Sequence, residues 1–178
     1  MTRYVAFLRG INVGKAKQIP MADLRTLLTE LGYTDVATLL RSGNAVFTGE
    51  GDPAEVANRM EKAVEATFGM TVGCVVRDGA DLAAVIAANP FPEAAEQGSR
   101  YLAHFLSAAP DPALVEANDP VELDPDRIRL GDRVIYQWCP DGIMAAPDVG
   151  TYAVKNLGVV ATGRNWNTLT KLAAMLGA

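Results

Sequence analysis

The chain has one histidine and two cysteines among 178 residues. His104 lies in Leu102-Ala-His-Phe-Leu106 with the strand parity of Leu102 and Leu106, so it reads as a hydrogen-bonded interior side chain rather than a base. No Ser/His/Asp set assembles around such a residue, and a lone imidazole does not make a metal cluster. Cys74 and Cys139 are isolated, without CxxC spacing or a nearby second ligand. A reduced, cytoplasmic setting fits them best. No metal is expected, and no cofactor is named by any motif.

Long apolar runs are missing too. Nothing approaches the roughly 20 residues that cross a bilayer, and the apolar stretch between Arg3 and Arg9 is too short for a signal-peptide core. The chain reads as having no membrane role. Net positive charge is absent as well: 16 Lys/Arg face 21 Asp/Glu, for a net charge of −5 and a pI of about 4.9. That argues against bulk, non-specific nucleic-acid binding. Hydrophobic residues at 49 % and charged residues at 21 % match a soluble globular protein. The length suits one domain or two small ones.

What is present is an uneven distribution of charge. Residues 1–49 carry six Lys/Arg against three Asp/Glu, residues 50–149 seven against eighteen, and residues 150–178 three against none. The bases at the two ends fall within or beside segments rich in Gly and Asn: Arg9-Gly-Ile-Asn-Val-Gly-Lys-Ala-Lys17, Arg41-Ser-Gly-Asn44 and Arg164-Asn-Trp-Asn-Thr168. If the fold brings them together, they form one cationic, amide-rich surface on an acidic body.

Local patterns suggest the fold. Tyr4–Leu8 reads as a buried strand. Pro20 suits the first position of a helix whose Leu24, Leu27, Leu28 and Leu31 follow amphipathic spacing and which stops at Gly32. Residues 36–40 and 45–48 read as strands joined by Arg41-Ser-Gly-Asn44, with a tight turn at Gly43-Asn44. Asp52-Pro-Ala-Glu55 opens a second helix with a stripe of Val56, Met60, Val64 and Phe68. Residues 71–77 read as a fourth strand. The order β-α-β-β-α-β is the ferredoxin-like arrangement. Asp78-Gly-Ala-Asp81 caps a third helix, and Asn89-Pro-Phe-Pro-Glu93 breaks the chain. Beyond it, residues 101–106 read as a strand, 111–117 as a short helix, 127–130 and 134–138 as a hairpin, 140–148 as loop and 165–176 as a helix. No internal repeat is visible. The expected architecture is α+β, with a ferredoxin-like lobe over 1–78, a helix and connection over 79–100, and a smaller α+β lobe over 101–178 that ends in a helix.

Three segments bear on chemistry. In the last helix Trp166, Leu169, Leu172, Ala173 and Leu176 share an inward face, while Arg164, Asn167, Thr168 and Lys171 lie opposite. The helix N-terminus beside Arg164, Asn165 and Asn167 suits phosphate or carboxylate, or Asn165 simply caps it. Removing Arg164 is expected to cost ligand rather than fold. Gly10-Ile-Asn-Val-Gly14-Lys15 follows a strand but fails the P-loop pattern in spacing and in lacking Ser/Thr after the lysine. It leaves a glycine-bounded loop exposing Asn12, Lys15 and Lys17. Arg41-Ser42-Gly-Asn44 is first of all a turn.

Those segments resemble a known family. Leu8-Arg-Gly-Ile-Asn-Val-Gly14, Pro20-Met-Ala-Asp-Leu24, Ser42-Gly-Asn44 with Val46-Phe47, and Thr162-Gly-Arg-Asn-Trp-Asn-Thr168 with Lys171-Leu172 are similar to the bacterial domain-of-unknown-function-1697 family. The resemblance spans the whole chain. It implies a cytoplasmic protein of two α+β lobes, the first ferredoxin-like, and no particular reaction. Lys15 stands where the family usually has a second glycine, making the loop stiffer and more cationic.

The reading that follows is a binder of, or an enzyme acting on, an anionic small molecule carrying phosphate or carboxylate. Arg9, Lys15, Arg41, Arg164 and Lys171 supply charge; Asn12, Ser42, Asn44, Asn165 and Asn167 supply hydrogen bonds. No general base is identifiable, so whether a reaction is catalysed stays open. Two alternatives stand beside it. One is single-stranded nucleic-acid binding on an open sheet face, with Phe7 and Phe47 as stacking rings, although the RNP1 pattern is absent. The other is an interaction module that docks a partner or forms a homodimer through that sheet.

Overall fold

The computed structural model describes residues 1–178 and divides into two units, Met1–Leu82 with Leu172–Ala178, and Ala83–Lys171. Strands and helices both contribute, giving an α+β protein. No helix is long and apolar enough to cross a membrane.

The first unit contains β1 (Thr2–Leu8), α1 (Met21–Glu30), β2 (Thr34–Leu39), β3 (Asn44–Gly49), α2 (Pro53–Phe68) and β4 (Cys74–Asp78). Its sheet is antiparallel in the order β2-β3-β1-β4, the ferredoxin-like order. Alternation across the pleat selects the core. Tyr4, Ala6 and Leu8 of β1 join Ala45, Phe47, Cys74 and Val76 from its neighbours, and the stripes Leu24-Leu27-Leu28 of α1 and Val56-Met60-Val64 of α2 close over them. Val5 and Phe7, of opposite parity, are as buried, which explains an apolar run without polar alternation. The Asp52 side chain accepts from Ala54 N at 2.9 Å and Pro53 occupies the first turn, as the sequence pattern requires. At α1 the reading shifts by one: Pro20 is the extended N-cap residue and the helix begins at Met21.

The last residues of the chain, Leu172–Ala178, group with this first unit. An Nη of Arg3 donates to the Met175 carbonyl at 3.1 Å. The Cβ positions of Leu176 and Ala178 approach Gly79 closely enough that a methyl group there would touch both, at 3.9 and 3.8 Å.

The second unit contains β5 (Tyr101–Leu106), α4 (Pro112–Ala117), β6 (Ile128–Gly131), β7 (Val134–Trp138), α5 (Val149–Asn156) and β8 (Ala161–Asn165). Its sheet runs β6-β7-β5-β8, again antiparallel. Element order and sheet order therefore repeat those of the first unit, although no repeat is visible in the sequence. The match extends to single bonds. Leu8 N donates to Gly43 O and Leu106 N to Arg133 O, both at 2.9 Å; Arg9 N donates to Gly73 O at 2.8 Å and Ser107 N to Val160 O at 2.9 Å.

Each β-α-β-β-α-β set continues directly into another helix, α3 (Gly79–Ala87) or α6 (Trp166–Leu176). The junctions correspond: Asp78 Oδ1 accepts from Asp81 N at 2.8 Å, and Asn165 Oδ1 from Thr168 N at 2.9 Å. Val5 pairs with Arg77 as Ala103 pairs with Arg164, so the two arginines are counterparts. What survives in sequence is Arg-Asx followed four residues later by leucine, at Arg77-Asp78…Leu82 and Arg164-Asn165…Leu169.

Two elements of the second unit carry weak sequence signals. Helix α5 starts Val-Gly-Thr-Tyr, a poor helical opening, and is held by Asp148, which accepts from both the amide and the hydroxyl of Thr151 at 3.1 and 2.8 Å. Strand β8 reads Ala-Thr-Gly-Arg-Asn and has little intrinsic strand preference. Pairing along β5 imposes its conformation.

Candidate functional site

The connection from β1 to α1 runs from Arg9 to Pro20, well beyond the usual length of a strand-to-helix link. Its backbone turns left-handed at Gly10 (φ 66°), Asn12 (φ 56°), Gly14 (φ 64°) and Lys17 (φ 47°). Backbone amides in such turns can converge on an anion. Ile11 and Ile19 bury at its two ends while residues 13–18 are exposed.

Asn12 closes this loop. Its Nδ2 donates to Ile19 O at 2.9 Å and to Arg41 O at 2.7 Å, its Oδ1 accepts from Ile19 N at 2.8 Å, and its own amide donates to Lys17 O at 3.0 Å. One carboxamide thus pinches the neck of the loop and ties it to the β2–β3 turn. Gln18 adds a second tie, donating to Gly14 O at 2.7 Å and accepting from Arg41 Nη2 at 3.4 Å. Lys17 Nζ donates to Thr71 O at 2.8 Å.

The turn differs from the sequence expectation. Leu39 pairs with Asn44, so Leu40–Gly43 connect the strands, with positive φ at Leu40 (61°) and Gly43 (92°), and Asn44 is the first residue of β3. Asn44 is fully buried and its Nδ2 donates to Leu39 O at 2.8 Å and Ser42 Oγ at 3.1 Å. Gly43 is required twice over: its φ favours glycine, and a Cβ there would fall 2.6 Å from Ile11 Cδ1. The carboxamides of Asn12 and Asn44 are therefore spent inside the protein, where they shape the loop and turn.

What this loop and turn expose is charge. Lys15, Lys17 and Arg41 are exposed, Arg9 is half-buried, and no carboxylate occurs between Arg9 and Ala22 or between Leu39 and Gly49. Of the sequence-selected residues, Arg9, Asn12, Lys15, Arg41, Ser42 and Asn44 belong to this assembly.

Arg164, Asn165, Asn167 and Lys171 belong to the second unit. Arg164 lies on β8, only 8 % exposed, and its Nη1 donates to Thr162 Oγ1 at 2.7 Å and Gly163 O at 2.8 Å. A guanidinium so buried and so bonded braces its own strand. Its removal would cost stability, which corrects the expectation of a variant with an intact fold. Asn165 caps α6, as described above, and Asn167 and Lys171 are exposed on that helix. Asn167 also packs against Gly98, where a Cβ would lie 2.2 Å from its Oδ1.

His104 is interior. Gln137 Nε2 donates to Pro147 O at 2.9 Å, which turns Gln137 Oε1 toward His104 Nε2 at 2.9 Å. In the neutral ring Nε2 therefore carries the proton. The rings considered for base stacking are also interior: Phe7 and Phe47 are fully buried, and Phe47 packs on Tyr33 and Tyr4 with centroids 4.6 and 5.7 Å away. Neither presents a face to a nucleobase. No group of three or more His, Cys, Asp or Glu side chains is placed to hold a metal ion.

An aromatic cluster in the second unit escaped the sequence reading, because its members are far apart in the chain. Trp166 stacks on Tyr101 at 4.7 Å and 20°, with Tyr136 6.4 Å away. Tyr136 donates to Val85 O at 2.6 Å and Tyr101 to Asn89 Oδ1 at 2.5 Å. Burial disfavours both phenolates, pushing Tyr136 up to about 12 and Tyr101 higher still. Each folded value lies above that of the unfolded chain, so the neutral phenols contribute stability that is intact below pH 10. That contribution should fade as pH rises from about 10 toward 12. Urea denaturation across alkaline pH should show stability held to pH 10 and falling above it; ionisation of all five tyrosines by pH 11 with stability unchanged would refute this. Burial likewise raises the Cys139 thiol to about 11.

Comparison with known proteins places the chain. The model of the DUF1697 family, described as a protein of unknown function, matches residues 1–136. The solved structure of a conserved bacterial protein, SP0830 from Streptococcus pneumoniae, superimposes with a TM-score of 0.75 at 24 % identity, covering 98 % of each chain. At that identity the likeness establishes the fold. No curated protein matches the chain significantly.

Proposed function

We propose an anion-binding role for this chain, which belongs to the DUF1697 family, a family described as of unknown function. The ligand is a small molecule bearing phosphate or carboxylate, and it binds at the loop between β1 and α1. The observation that carries the reading is the Asn12 clamp, which fastens a loop bearing Lys15 and Lys17 to the turn bearing Arg41. Cations held on a fixed backbone lose less freedom on binding than cations on a loose chain. An arginine beside lysines offers one forked donor set and two point charges to an oxyanion. Neither segment contains a carboxylate of its own to pair with these bases.

The test uses inorganic phosphate and citrate as probes, followed by amide chemical shifts. Lys15→Ala combined with Arg41→Ala should weaken binding at least about tenfold, since each lost charge-assisted contact is worth roughly 1.5 kcal/mol or more. Both side chains are exposed, so melting temperature should move by only about 2 °C. Equal affinity in the parent and the double variant would remove the proposed site.

A further inference from the structure

A separate cleft of about 500 Å³ lies in the second unit, lined by Pro90, Phe91, Pro92, Glu93, Ala94, Glu96, Gln97 and Trp138. Its volume is within the range of small-molecule sites. Its walls are fixed. The Asn89 carboxamide oxygen accepts from Phe91 N at 2.8 Å and from the Tyr101 hydroxyl at 2.5 Å, Ala94 N donates to Phe91 O at 2.9 Å, and Phe91 meets Tyr101 edge-on at 6.1 Å. On the other side Trp138 N donates to Arg127 O at 2.8 Å. Two prolines add walls that carry almost no conformational freedom to lose.

The lining has a definite chemistry. Trp138 is half-buried and lines the cleft, Glu93 and Glu96 are exposed in it, and no Lys or Arg lines it. An aromatic face beside carboxylates attracts cations and gives anions nothing. At one wall the Phe91 ring already carries a cation, with the Arg129 guanidinium carbon 5.2 Å from its centre, which leaves Trp138 and the two glutamates as the part of the cleft open to an added cation. The geometry points to a second site, for a small organic cation such as an alkylammonium, held against Trp138 with its charge facing Glu93 and Glu96. This site has the opposite charge preference to the loop of the first unit and does not depend on it.

Choline and its uncharged isostere 3,3-dimethyl-1-butanol test the site, read by the indole N–H resonance of Trp138 in the full-length protein. Choline should shift that resonance saturably, and the isostere should bind about tenfold more weakly, because only the cation gains from the ring and the carboxylates. Glu93→Gln with Glu96→Gln should weaken choline several-fold, and added salt should do the same. Trp138→Leu should abolish binding. If that variant is poorly folded, the double glutamine variant still decides, since both glutamates are exposed. Equal binding of the two probes, no loss in the double glutamine variant, or no shift of Trp138 with choline would each overturn the assignment.

Discussion

Asn12→Ala is expected to lower the unfolding free energy by about 3 kcal/mol and to abolish phosphate binding at the loop. Three side-chain hydrogen bonds are lost, each worth about 1 kcal/mol net. The residue also sits at φ 56°, where alanine is disfavoured by roughly 1–2 kcal/mol. Some of this loss is recovered as water reaches the freed carbonyls. Asn12→Gly separates the two causes, because glycine accepts the backbone angle but restores no bond. It should recover about 1 kcal/mol of stability in urea denaturation and none of the affinity. A parent-like Asn12→Ala protein, within about 0.5 kcal/mol, would show that the clamp holds nothing together.

Trp166→Ala should be more damaging, at about 3–5 kcal/mol, the usual range for emptying a large aromatic site. Trp166 is only 5 % exposed and stacks on Tyr101, itself fully buried. Neither neighbour can swing freely into the space, since each hydroxyl is already anchored, Tyr101 on Asn89 and Tyr136 on Val85. The hole therefore stays largely open. Trp166→Phe keeps part of the stack and should cost less than half as much. Equal loss from the two variants would mean that stacking and volume at this position do not matter.

The first unit was largely legible in the sequence, and the reason is local. Leu24, Leu27 and Leu28 announce one helix, Asp52-Pro53 another, and the runs at Tyr4–Leu8 and Ala45–Phe47 announce strands without help from distant residues. The second unit was half legible. Tyr101–Leu106 and the hairpin through Gly131 declare themselves, whereas β8 contains Gly163 and Asn165 and becomes a strand only by pairing with β5. Missing it concealed the duplication. It also put Arg164 beside a helix end, where it looked available to a ligand, when it is braced along a strand.

The candidate site was legible in its charge and illegible in its amides. Lys15 and Arg41 are visible as bases in glycine-rich segments, and both are exposed. Nothing in the spacing of Asn12 and Asn44 says that their carboxamides point inward, because their partners, Arg41 O and Leu39 O, are backbone groups contributed by folding. The cleft at Trp138 left no sequence trace beyond Asn89-Pro-Phe-Pro-Glu93, since its two walls are some forty residues apart in the chain.

The first unit is assembled from two separated stretches of the polypeptide, with Leu172–Ala178 grouped with residues 1–82 and Arg3 bonded to the Met175 carbonyl. That bond joins residues 172 positions apart, so completing the unit closes a very long loop. The entropic cost of such a closure rises only slowly with loop length, so the detour through the second unit adds little to it. The second unit, contiguous in sequence, is spared that closure.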